Sequence, residues 1–248
     1  MNTKTSNKLL LGLFAVILIT ATVFIGYAKH YSNKSFIAAS GDIVTEQRPV
    51  ESFSRIVVKG NIKVILTTRS QAALELKGDK NLLKNIQTTV KDGELLIQLP
   101  FKTESDQIIE AKVSTVSIEA LDFSTGSSIV STDSIVSKKL NLSFTTGASG
   151  KLNIESGETQ LDCSTGAETE LKGSTGTFQL AASTGSIVKA GNFSAHNGSI
   201  EGNTGSEIST NISDEIEVSM STGATAKNKG NPREKRMDLS TGGTFSKK

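Results

Sequence analysis

The chain has 248 residues, no Trp, ten Phe and two Tyr, with a formal charge of +2. Lys4 and Lys8 are the only charged residues before position 29, and setting them aside leaves 25 basic against 25 acidic residues. A near-neutral body sets up no field that gathers a phosphate backbone, which excludes nucleic acid as a partner class.

In chain order, the first element is an uncharged apolar stretch of twenty residues, Leu9 to Ala28. At a helical rise of about 1.5 Å per residue it spans roughly 30 Å, the thickness of a hydrocarbon core. Lys4, Lys8 and the α-amino group precede it, which favours a cytoplasmic N-terminus and an exported remainder. Gly26-Tyr27-Ala28 is a possible small-residue cleavage site, but the apolar run exceeds the usual signal-peptide core. Residues 1–28 are therefore expected to be an uncleaved anchor, with a cleaved signal as the alternative. The body then faces the periplasm or cell surface, or is secreted if cleavage occurs. Residues 29–50 are polar, lack sustained periodicity and read as a tether.

The body is expected over 51–245, with lead-in strands at 51–115. Residues 53–58 and 61–66 alternate around Lys59-Gly60, and 72–77 is a further strand. Asp79 is placed to cap a short helical turn over 79–86. Asp92-Gly93 sits between β-forming flanks, a hairpin signal because both residues tolerate positive φ.

Over 116–245 an apolar residue, three variable positions and Thr-Gly recur seven times, at Gly126, Gly147, Gly166, Gly185, Gly205, Gly223 and Gly242. A period near twenty fits one circuit of a β-solenoid. The period-2 alternation of strands then aligns Leu121, Leu142, Leu161, Leu180, Ile200, Val218 and Met237 as one inward column. Phe123, Phe144, Cys163, Ala182, Gly202, Met220 and Leu239 form a second, narrow in the middle, where Phe178 and Phe193 are available to fill the space. By the same parity Thr125 and its equivalents point inward, and each following glycine takes a left-handed turn conformation. An extra Ser174-Thr175-Gly176 suggests two related sides per coil.

Chemistry is sparse. Asp122, Asp162, Glu201 and Asp238 share an outward column, but neighbouring coils carry Ser143, Ala181 and Ser219 there, so a solvated face is expected. His30 and His196 belong to no metal-ligand spacing or nucleophile–base pair. Cys163 is expected to be a buried small apolar side chain. The basic run from Lys227 to Arg236 reads as a solvated loop between the last two coils. No catalytic, cofactor-binding or metal-binding residue is assigned, and no cofactor is expected.

The opening Phe53-Ser54-Arg55-Ile56-Val57-Val58-Lys59-Gly60, the segment Gly78-Asp79-Lys80-Asn81-Leu82-Leu83, and Val90-Lys91-Asp92-Gly93-Glu94-Leu95-Leu96-Ile97 resemble the bacterial head GIN domain family. The serial Ser-Thr-Gly repeats follow where that family shows Ser-Gly-rich versions. The resemblance covers about residues 53–245 and implies a solenoid-like body behind an export signal, in a family labelled as an auto-transporter adhesin head. It implies no catalytic residues. Together these readings predict an all-β, right-handed β-solenoid behind an N-terminal transmembrane or signal helix. The expected function is a non-catalytic adhesin or envelope module whose partner is an unknown protein or glycan of the envelope or host surface. The competing reading is a carbohydrate-active β-helix enzyme, weakened by a body without Trp or Tyr. An ice- or crystal-binding surface is set aside because the threonine parity points inward.

Overall fold

The computed structural model describes residues 20–23, 26, 36–100, 102–103 and 108–247. The expected membrane segment at 9–28 lies outside the described residues except for five helical positions, and His30 lies outside them entirely. Among the described residues, no helix is long and apolar enough to cross a membrane.

The body is an all-β, right-handed solenoid of about seven turns. Strands β1 (Phe36–Ile37), β2 (Ile43–Arg48), β3 (Arg55–Lys59), β4 (Ile62–Thr68) and β5 (Ala73–Asp79) open the chain. Helix α1 (Lys80–Leu83) follows, then β6 (Gln87–Lys91), β7 (Glu94–Gln98), β8 (Lys102–Thr103), β9 (Ile109–Thr115) and β10 (Ala120–Ser124). The long strands β11 (Ser128–Phe144), β12 (Ser149–Cys163), β13 (Glu168–Ala182), β14 (Ile187–Gly202) and β15 (Glu207–Met220) each run from one sharp turn to the next. Strands β16 (Thr225–Asn228) and β17 (Arg233–Leu239) form a broken coil stacked on β15, and β18 (Thr244–Lys247) begins a further one on β16.

All pairings from β10 to β18 are parallel, as winding in one sense requires. One face stacks β7, β3 and β10 ahead of the coils in the same parallel register. Leu95, Ile56, Leu121, Leu142, Leu161, Leu180, Ile200 and Val218 therefore fall into one column, and all are buried. The second predicted column is also interior, down to Met220. Differences in side-chain size are taken up by neighbours: the Phe144 ring lies against Gly150, and Met220, next in the column, lies against Gly202. Phe178 and Phe193 fill the middle with an edge-to-face contact, ring centroids 5.3 Å apart.

The N-terminal end is closed. Antiparallel pairs β2–β5, β5–β9 and β6–β7 terminate the parallel stacks. Helix α1 buries Leu82 and Leu83 under them, with Ile86 just beyond. Asp79 caps α1 as expected, accepting from the Asn81 and Leu82 N–H groups. It also accepts from Gly41 N–H at 2.8 Å and Ser40 Oγ at 3.0 Å. Desolvation raises its carboxyl pKa, but the bonds from Ser40, Asn81 and Gly41 outweigh this and hold it below the usual value.

Three expectations are corrected. The stretch read as a polar tether contributes β2, whose polar residues suit an edge strand and whose Arg48 donates to the carbonyls of Leu83 and Ile86. The basic run at 227–236 is not simply a loop: its ends are the strands β16 and β17, paired to β15. Ser174-Thr175-Gly176 lies inside β13 with Thr175 buried, so it is no second copy of the corner turn.

Candidate functional site

The one sharp corner of each coil is the Ser-Thr-Gly turn. At Ser124–Ser127 the fourth residue's N–H returns to the first residue's carbonyl, and the same bond recurs through Gly243 to Ser240. Both central residues have positive φ, 48–60° at the seven threonines and 68–77° at the glycines that follow. This is the type I′ geometry, for which glycine at the second centre is well suited and threonine at the first is not. Successive turns are tied directly, Gly126 N–H to Thr146 carbonyl and onward to Gly223 N–H on Thr241.

The threonines are exposed, not inward. Two consecutive left-handed residues reset the strand alternation, so the buried position falls at the next residue, for example Ser127, Ala148 and Ala167. The threonine column is a ridge one residue wide beside exposed glycines and, for most of its length, half-buried hydroxyls of the preceding residue. A ridge offers no flat two-dimensional lattice, so the ice-binding reading stays set aside on this ground instead of on parity.

Cys163 is buried, its thiol 3.5 Å from the Ala167 carbonyl. Desolvation pushes the thiol pKa up to about 11, against a partial opposing pull from the hydroxyls of Thr169 and Ser186. Such a thiol stays protonated and unreactive at neutral pH. His196 is exposed and faces Asp214 at 3.3 Å. Among the described residues, no group of three His, Cys, Asp or Glu side chains could hold a metal ion.

What the fold does build is a trough. On the outer side of the face that carries the Leu121 column, two polar columns run parallel to the solenoid axis. The first is Ala120, Asn141, Gln160, Gln179, Ser199, Glu217 and Arg236. The second is Asp122, Ser143, Asp162, Ala181, Glu201, Ser219 and Asp238. Small side chains at 120, 143, 181 and 199 leave space between longer neighbours. Three adjoining depressions of about 350, 320 and 290 Å³ follow, together extending from Arg55 and Glu94 to Lys235.

Several cations beside the trough are engaged by other acids. Arg55 faces Glu94 at 3.9 Å, Lys139 faces Glu158 at 2.9 Å, and Arg236 faces Asp238 at 2.6 Å. Arg233 and Lys235 both pair with Glu215, holding its carboxyl below the usual range. Among the described residues, none forms an ion pair with Asp122, Asp162, Glu201 or Glu217. Desolvation raises the pKa of Asp122, with Lys59 pulling it back and Glu94 adding to the rise. Three of these acids were visible as an outward column in the sequence. The amide column beside them was not singled out, although Asn141, Gln160 and Gln179 recur two positions before the acid column.

This geometry has relatives. The family model described as "Putative auto-transporter adhesin, head GIN domain" matches residues 52–232. A "putative adhesin" from Bacteroides fragilis superimposes with a TM-score of 0.76 at 17% identity, over 85% of this chain and 98% of its own. A "putative lipid binding protein" from Parabacteroides distasonis gives 0.69 at 13% identity, over 86% and 99%. A "putative adhesin" from Parabacteroides merdae gives 0.63 at 12%, over 86% and 99%. At these identities the likeness shows a shared fold and nothing about ligands. No curated protein matches the chain. The family match spans well over half of the sequence and the solenoid beneath it is continuous, so the chain belongs to the head GIN domain family.

Proposed function

We propose that the protein is an exported, non-catalytic binding module that presents its axial trough to a partner on the cell envelope or a host surface. The apolar stretch before position 29 holds it at the membrane with the body outside the cytoplasm. The observation that carries this reading is the trough itself, continuous over seven coils, lined by amides and unpaired carboxylates, and built on a rigid stack. A rigid element with a repeating polar face is suited to gripping a long partner at many weak points. The adhesin names of the family and of two of the structural neighbours point the same way. The lipid-binding name of the third has less to build on here, because the core is filled by side chains and the trough is polar.

The enzyme reading has less to build on, because the trough is lined by no aromatic side chain that could serve as a platform for a sugar ring. A glycan depolymerisation screen checks this: turnover lost on Asp122→Asn or Asp162→Asn would overturn the non-catalytic assignment. Binding is checked by incubating the purified chain with envelope fractions and host matrix. Retention at micromolar protein, reduced by trough substitutions, is the expected result. No retained partner would defeat the proposal.

A further inference from the structure

We infer that residues 37–52 are a releasable strap, giving the protein a short tether when fastened to the body and a long one when peeled away under tension. This rests on the membrane-tethered binding-module reading and adds to it how the chain responds when a gripped partner pulls against the anchor. No residue from 37 to 52 is buried; Ile37, Val44 and Val50 pack only partly against the core. Strand β2 pairs with β5 alone, and β5 joins the parallel ladders through β9. A segment with so little buried apolar surface opens at the low end of the local-stability range. What fastens it is polar and specific. One oxygen of the buried Asp79 carboxylate accepts from the Asn81 and Leu82 N–H groups of α1. The other accepts from Gly41 N–H at 2.8 Å and Ser40 Oγ at 3.0 Å. Lys80 N–H adds a bond to the Asp42 carbonyl at 2.9 Å. At the far end of β2, Arg48 donates to the carbonyls of Leu83 and Ile86 and to Thr88 Oγ1.

Geometry sets where peeling begins and where it ends. Tension from the anchor arrives at the N-terminal side of β2, beside the pair Ile43–Asp79, so the Asp79 clasp is met before the ladder. The six pairs to β5 follow in turn, and Arg48 closes the series. Peeling stops at Phe53, the first buried residue after the strap. Its carbonyl accepts from Thr115 Oγ1 at 2.6 Å, and the Ser54 and Arg55 N–H groups bond to the Gly93 carbonyl. Beyond it β3 lies between β7 and β10, inside the stack. Release therefore frees sixteen residues, roughly 55 Å of chain at about 3.3–3.6 Å each. The eight residues from 29 to 36 supply only about 28 Å between the apolar stretch and the strap. No trough residue lies in the strap, so the body moves away from the membrane with its binding face intact.

The test uses the full-length chain in detergent micelles. Hydrogen exchange read by mass spectrometry is expected to show the β2 amides opening as a unit ahead of those of β11 to β14. Asp79→Asn separates the clasp from the cap, because asparagine caps a helix as well as aspartate but offers one acceptor oxygen in place of two. The variant should speed β2 exchange about tenfold, as loss of charge-assisted bonds allows, and leave the coils unchanged. Release under tension is read with magnetic tweezers on Thr45→Cys/Lys77→Cys, which joins two exposed residues paired across β2 and β5. Cys163 is buried with its thiol protonated and takes no part. Pulled by its two ends, the reduced chain should give an early step of at most about 55 Å. Oxidation should cut that step to about half, since only residues 37–44 can then peel, and reduction should restore it. Exchange in β2 as slow as in the coils, no effect of Asp79→Asn, or identical traces for the oxidised and reduced chain would each overturn the inference. These measurements need neither partner nor bilayer, so their failure leaves the binding-module reading standing. A chain recovered free of membranes from fractionated cells rejects the tether itself, and the strap's use with it, even where the step is present.

Discussion

At the scale of single residues, the seven left-handed threonines are the costliest choice in the fold. A β-branched side chain at positive φ crowds its own backbone, a penalty of about 1–2 kcal/mol that glycine escapes and asparagine reduces. Thr165 has φ of 54°, its side chain is exposed, and it sits between neighbours of the same kind. Thr165→Asn is expected to raise stability by about 0.5–1 kcal/mol, seen as a higher denaturant midpoint with an unchanged slope. A lower midpoint would mean that the threonine methyl or hydroxyl makes coil-to-coil contacts that outweigh the strain. Either outcome concerns the turn alone, because the turn's ladder bonds run through backbone groups. Cys163 illustrates the opposite situation: it fits its place in the column by size, and burial suppresses its chemistry.

At the scale of elements, the coils are matched pairwise rather than being identical. Phe123 stacks on Phe144 with centroids 5.7 Å apart, and the Phe144 ring occupies the space in front of Gly150. A Cβ at position 150 would lie 2.6 Å from that ring, inside contact distance. Gly150→Ala is therefore expected to cost about 1–3 kcal/mol, as overpacking in a filled core does. Gly150→Ala combined with Phe144→Leu should recover part of that loss in the same denaturant titration. No recovery would show that backbone conformation, not ring contact, requires glycine there. The columns themselves were legible in the sequence because period-2 alternation keeps phase from Leu121 to Phe123 and the repeat restarts it each time. The threonine direction was not, since two left-handed residues break the parity that the count relied on. Strand β2 was missed for a related reason: Ile43–Arg48 pairs at an antiparallel margin, where polar residues leave no apolar rhythm to read. The trough escaped because its acids alternate with small residues from coil to coil. Gaps in a column look like absence in a sequence and become depth in a stack.

At the scale of the whole molecule, a parallel stack must stop at both ends without inviting another chain to continue it. The N-terminal end is turned aside by antiparallel strands and covered by α1. Among the described residues, none covers the C-terminal end in this way: Leu239 is 46% exposed, and Met237 and Phe245 are only partly buried. Its protection lies in β17. Register slips at Lys235, which bulges between the pairs Ile216–Glu234 and Glu217–Arg236. Glu234 takes the column position that Leu140, Phe178 and Ile216 occupy in earlier coils, and Lys247 neutralises it at 2.7 Å. A bulge and inward-facing charge on an edge strand are the usual devices against edge-to-edge pairing. Deleting Lys235 while changing Glu234→Val and Arg236→Thr should restore a straight, apolar-backed edge beside Met237 and Leu239. The expected result is growth to dimers or longer end-to-end species by light scattering as protein concentration rises, with far-UV β content maintained. The unsubstituted chain should show no such growth over the same range. If the altered chain matches it in size, exposed termination alone is tolerated in this solenoid, and the charges of β17 serve the mouth of the trough through Glu215 instead.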